Sequence, residues 1–223
     1  MTDRASARRI SRLATLGLVL AAALLSAGCQ AIFTFSPVAG LQQSPSNMTP
    51  AQRLTYAQDA LASGDQAAMK TAYDAIKNDT SGPAQYTTAQ LGIELSGVPA
   101  VLVQVANDPS SVTTQLNTIN DYVTSHNIDP NYMVAASTQL AAAAAAGVPL
   151  TTMDYAMGAM GMLLGDAHAS SATWNVTSGT VTTAQATAAR AFLAPAVTNV
   201  ASLPSGDPLQ QFITQLDTFI GGL

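Results

Sequence analysis

The sequence predicts an all-α chain built from consecutive antiparallel helical hairpins. Helix-starting and helix-ending residues recur along its length, apolar residues between them repeat at three and four, and strand signals are almost absent. The elements follow in order. Thr49-Pro50-Ala51-Gln52 has the form of a capping box. Its proline takes the first helical position, where a missing N–H costs nothing, and a helix over 50–63 follows. Gly64 can take the left-handed conformation that closes this helix, and Asp65 caps a second over 65–78. Gly82-Pro83 opens a third over 83–96, and a fourth is expected over 98–107. Asp108-Pro109, Asp129-Pro130 and Asp207-Pro208 each set an acidic cap before a proline, predicting helices over 109–125, 130–146 and 208–220. Thr151 with Asp154 starts a helix over 151–166, and Thr182 or Thr183 starts one over 182–202. Leu91, Leu95 and Leu102, then Val112, Leu116, Ile119 and Val123, then Phe212, Ile213, Leu216, Phe219 and Ile220 mark the buried stripes. Pro99 and Pro195 are expected to interrupt or kink their segments.

Short joints pair these helices as 50–63 with 65–78, 83–96 with 98–107, 109–125 with 130–146, and 151–166 with 182–202. The last helix then acts as a cap. Gly97-Val98-Pro99 and Gly147-Val148-Pro149 repeat one turn, as equivalent places in a repeating unit would. Two architectures fit: an array of hairpins bordered by a groove, or a compact helical bundle. Ala141 to Ala146 has almost no side-chain bulk and is expected in a central, tightly packed helix.

Composition narrows the function classes. The chain has 223 residues, 48% hydrophobic, 9% charged and 5% aromatic, with a single cysteine. That is enough apolar matter to fill a core, so disorder is excluded, and one cysteine excludes an intramolecular disulfide. The longest apolar runs after Cys29, Leu140 to Leu150 and Tyr155 to Gly165, are too short to span a bilayer. Residues 29–223 carry four basic side chains (Arg53, Lys70, Lys77, Arg190) against twelve acidic ones, a net charge of −8. No Lys or Arg stands between Asn78 and Ala189. A phosphate-rich ligand needs cations or a glycine-rich helix start, so no nucleic acid and no nucleotide is expected.

The first residues read as an address. Arg4, Arg8, Arg9 and Arg12 precede an apolar stretch from Leu13 to Leu25, and small residues follow it, the pattern of an export signal. Leu25-Ser26-Ala27-Gly28-Cys29 resembles the lipobox of bacterial lipoproteins, with Ser26 where that family usually has leucine. The resemblance implies cleavage before Cys29, diacylglycerol on its sulfur and an acyl chain such as palmitate on the new amino terminus. Two or three acyl chains anchor a protein stably without a transmembrane helix. Gln30 after the cysteine implies sorting to the outer membrane, periplasmic face, with the inner membrane and surface display as alternatives. The expected organisation is a signal peptide over 1–28, a lipidated tether over 29–48 and one all-helical domain over 49–223.

Tyr56-Ala57-Gln58-Asp59-Ala60-Leu61-Ala62-Ser63-Gly64-Asp65, followed by Ala68 and Ala75-Ile76, resembles the middle of a tetratricopeptide repeat after a one-residue gap. The resemblance stops there; later hairpins lack the pattern. It implies a Gly-Asp turn between two helices interlocked through small residues.

Residues able to carry chemistry are few. Met153, Met157, Met160 and Leu164 form one helical stripe, with Met162 off it and Gly158, Gly161 and Gly165 beside it. Thioethers suit Cu(I), but this spacing is also that of core gap-fillers or of an adaptable hydrophobic groove. His126 and His168 lack the local partners that a zinc site needs. No Gly-x-Ser-x-Gly and no clear carboxylate pair stands out, so no catalytic residue, cofactor or metal site is assigned. The helical pattern breaks over 166–182, where a small β-hairpin around Ser178-Gly179 is expected. Trp174 in this break either plugs a gap between helices or anchors a recognition loop. The functional expectation is a non-enzymatic envelope adaptor holding another envelope protein or an extended peptide. Trp174, Tyr155, Met157 and Met160 are its expected contacts. The alternative is a lipoprotein that carries a small apolar ligand to a transporter. An enclosed cavity lined by Met, Leu and Tyr155 favours the carrier, and an open groove favours the adaptor.

Overall fold

A computed structural model describes residues 44–99, 123, 128–204 and 206–223. Their long helices are α1 (Pro50–Ser63), α2 (Gln66–Ile76), α3 (Gly82–Ser96), α4 (Pro130–Ala145), α5 (Thr152–Ser171), α6 (Thr183–Val200) and α7 (Pro208–Gly221). No strand occurs among the described residues, and the chain is all-α. Cys29 and the signal segment lie outside them, as do His126 and most of the helices expected over 98–107 and 109–125. Residues Pro45–Leu223 form one unit, which begins with a 3-10 turn, Pro45–Asn47, packed on α2. No described helix is long and apolar enough to cross a membrane.

The helix starts are made by side chains within a few residues of them. Thr49 accepts from the Gln52 N–H while the Gln52 side chain accepts from the Thr49 N–H at 2.9 Å, so two orphan donors are satisfied reciprocally. Asp65 accepts from the Ala67 and Ala68 N–H groups, Asp129 from Asn131, and Asp207 from Leu209 and Gln210. Thr182 caps α6 through the Gln185 N–H. Gly64, Gly97 and Gly147 all adopt positive φ at helix ends, which accounts for the repeated Gly-Val-Pro turn.

Two expectations are corrected. Helix α6 runs uninterrupted through Pro195. Pro195 and Ala191, whose carbonyl the proline leaves without its helical donor, are both exposed, while Leu193, Ala196 and Val200 on the other face are buried. Helix α5 continues past 166 to Ser171, carried by buried Ala167, and ends at Ala172 with φ 56°. The irregular segment is therefore 172–182, and no hairpin forms around Ser178-Gly179. Thr180 instead closes a turn through its hydroxyl, which accepts from the Thr177 N–H and donates to the Asn175 carbonyl at 2.7 Å.

Packing follows chain order: α1 and α2 on α3, α3 on α4, α4 on α5, α5 on α6, α6 on α7. The expected pairing of the first two helices, and of the helices begun at Thr151 and Thr182, is present. Helix α3 serves two apolar clusters. Leu91 joins Ala57, Ala60, Met69, Ala72 and Ile76 of α1 and α2, whereas Ala89 and Ile93 join the larger core of α4 to α7. Small residues set the approach of the central helices. A Cβ on Gly92 would stand 3.0 Å from the Tyr132 carbonyl oxygen, so α3 and α4 touch almost backbone to backbone. In the alanine block Ala143 is fully buried and Ala145 and Ala146 face solvent, so only the first part of the block makes the tight packing.

Candidate functional site

A cleft of about 610 Å³, open to solvent, lies where the α1–α2 turn, α3 and the start of α5 meet. Leu61, Gly64, Gln66 and Met69 line it from the first hairpin, Gln90, Ile93, Glu94 and Pro99 from α3 and its end, and Met153, Asp154 and Met157 from α5. Three thioethers thus meet from two helices remote in sequence. Met69 and Met157 are buried and form its floor, while Met153 is 40% exposed. Methionine is unbranched and adaptable, so such a surface can fit apolar groups of differing shape.

The capping box of α5 also builds the polar end of the cleft. Asp154 is only 8% exposed. Its Oδ2 accepts from the Thr151 N–H and the Thr151 hydroxyl, both at 2.8 Å, and from the Tyr86 hydroxyl of α3 at 3.0 Å. Three donors on one oxygen fix the carboxylate, and no hydrogen bond from a described residue reaches Oδ1. Glu94 is exposed at the rim. No Lys or Arg among the described residues lines the cleft.

Burial, and next the hydrogen bond given to Asp154, push the Tyr86 phenol up to about 12 from an ordinary value of 10.0. The folded chain therefore keeps this proton between about pH 10 and 12 where the unfolded chain gives it up, and stability falls as pH rises through that window. In a spectrophotometric titration, the component lost in Tyr86→Phe is expected to have a midpoint near pH 12. Asp154→Asn is expected to move it toward 10; a midpoint already at 10 in the unmodified chain would mean the phenol is not held by Asp154.

The expected contact residues separate. Met157 lines the cleft. Met160, one turn on, is buried in the main core. Tyr155 is half-buried and tilted against Phe192, ring centroids 5.4 Å apart. Trp174 is 9% exposed and stacks on His168, centroids 4.0 Å apart and planes within 3°. Tyr155, Met160 and Trp174 are not among the cleft's lining. Sequence reasoning did not single out Met69, Gln66, Gln90, Glu94 or the site role of Asp154. The spacing of Met153 and Met157 around Asp154 was a visible signal; the arrival of Met69 was not, because it depends on how the first hairpin meets α5.

No group of three His, Cys, Asp or Glu that could hold a metal ion occurs among the described residues. A second hollow of about 450 Å³ is lined by Thr177, Ser178, Gln215, Thr218, Phe219, Gly222 and Leu223, with no charged side chain. Compared with known proteins, the chain matches no family model, no curated sequence and no solved structure.

Proposed function

We propose that this chain is a non-enzymatic adaptor of the bacterial cell envelope, tethered by lipid on Cys29 and holding an apolar segment of another envelope protein in the methionine cleft. The observation that carries the reading is the cleft itself: open to solvent, floored by Met69 and Met157, and edged by a half-exposed Met153. Adaptable, Met-rich surfaces are used by proteins that grip apolar segments of partners. The lipid tether rests on Ser26-Ala27-Gly28-Cys29, and outer-membrane placement on Gln30. A second reading, a carrier of a small apolar ligand, is favoured by volume, since small-molecule sites span about 300–1,000 Å³. The openness of the cleft and the packing of Tyr155 against Phe192 weigh against it.

A photo-crosslinking residue at position 153, expressed in cells, tests the proposal. One stoichiometric protein adduct is expected from position 153 and none from the exposed position 187, and Cys29→Ser is expected to abolish it by mislocalising the chain. No protein adduct, together with a small molecule released on denaturation, would replace the adaptor by the carrier.

A further inference from the structure

We infer that the segment held in the cleft carries a Lys or Arg among its apolar side chains, with the apolar groups against Met69, Met153 and Met157 and the cation against Asp154 and Glu94. This rests on the adaptor reading and adds the chemistry of the partner.

Charge complementarity in a mostly apolar site favours such a segment. A carboxylate as enclosed as Asp154 is stable only if its oxygens find donors. Oδ2 has three, and they hold the group in place, while Oδ1 is not shut off from solvent and remains open to a donor that enters the cleft. Among the described residues the cleft has no cation of its own. Lys77 is engaged by Asp74 at 2.7 Å, and Arg190 by Asp217 at 2.7 and 2.9 Å. Arg53 donates to the Met48 carbonyl, and Lys70 is not among the lining. Glu94 adds a second negative charge at the rim, and an incoming anionic segment would meet two carboxylates with nothing to offset them. A cation donating to Asp154 makes a charge-assisted hydrogen bond in a partly desolvated place, roughly twice as strong as a neutral one. The thioethers and Ile93 meanwhile receive the apolar side chains on either side. A helix or extended peptide with apolar residues and interspersed Lys or Arg meets both demands at once.

Three fluorescein-labelled synthetic peptides of identical leucine pattern, differing only in having Lys, Gln or Glu between the leucines, separate the possibilities. Fluorescence anisotropy is read with the purified full chain in detergent, against protein-free micelles. The Leu/Lys peptide is expected to bind about tenfold more tightly than Leu/Gln, with Leu/Glu weakest. Added salt is expected to narrow the difference. Glu94→Gln, on an exposed position that leaves folding intact, is expected to weaken the Leu/Lys peptide several-fold and leave Leu/Gln unchanged; Asp154→Asn is expected to weaken it more. Met153→Ser is expected to weaken all three. Equal binding of Leu/Lys and Leu/Gln, both lost in Met153→Ser, would overturn the cation while leaving the adaptor in place. Binding of no peptide, with dodecylamine displacing a bound dye from the cleft, would overturn both and make the site one for small amines. Preference for Leu/Lys that ignores Met153→Ser and Glu94→Gln would place the contact elsewhere and also overturn the inference.

Discussion

Gly161→Val is expected to destabilise the protein by about 3 kcal/mol, the upper end of what overpacking costs. Even the first atom of a side chain at this position would stand 2.5 Å from the Met133 carbonyl oxygen and 2.7 Å from the Ser137 Cβ. The first obstacle is backbone, which cannot swing aside as a flexible side chain can. Helices α4 and α5 must therefore separate, and the loss spreads to Met133, Leu140, Leu163 and Leu164, all fully buried. The better helix propensity of valine returns only a few tenths of a kcal/mol. For a chain of this size the melting temperature should fall by roughly 6–12 °C, measured by circular dichroism. Gly179→Ala is the control: nothing but the Thr177 hydroxyl lies within reach, at 3.8 Å, and the change is expected to be near neutral. A Gly161→Val protein within about 1 kcal/mol of the parent would mean that α4 and α5 do not cross as closely as described.

Trp174→Ala is expected to cost about 3–5 kcal/mol, the range for deleting a buried aromatic. Trp174 and Val176, with the half-buried Asn175 between them, both turn into the core, and Val181 follows them there. The tryptophan also stacks face to face on His168 near the end of α5. Removing it opens a cavity under the segment 172–182 and takes away what holds that segment to the helices. Urea unfolding should show a lower midpoint with an unchanged slope. Adduct formation from position 153, assayed well below the melting temperature, should persist, because Trp174 is not part of the cleft lining. The opposite result, unchanged stability with lost adduct, would return Trp174 to the role of a surface anchor.

The sequence is most legible where the physics is local. Thr49, Asp65, Asp129, Thr151, Thr182 and Asp207 were each readable as helix starts, and each accepts a backbone N–H within three residues. Capping depends on immediate neighbours, so no distant part of the chain can overrule it cheaply. The passage of α6 through Pro195 and the extra turn of α5 were less legible, because each is decided by which face the core covers. The cleft was the least legible feature. Met153 and Met157 were visible on one helical stripe, with Asp154 readable only as part of the helix start, but their partners Met69, Gln90 and Glu94 come from helices whose approach to α5 no local pattern encodes. Met160 and Trp174 belong to the types that form binding surfaces and sit in the core instead; residue type alone does not say which side of a helix faces the interior.

The double allegiance of α3 has a kinetic consequence. Helices α1 to α3 can find one another across joints of two and five residues, and α4 to α7 across joints of six to eleven, each group through contacts of low sequence separation. The face between α3 and α4 is different: it forms only after the chain from Gly97 to Asp129 has brought its ends together, an entropic cost that grows with the logarithm of that length. The hydrogen bond from the Asp129 N–H to the Ser96 carbonyl, 3.0 Å long, sits at the point of closure. Each group of helices is thus expected to form before α3 zippers onto α4 around Gly92, an order that φ-values at Gly92 and its neighbours would test.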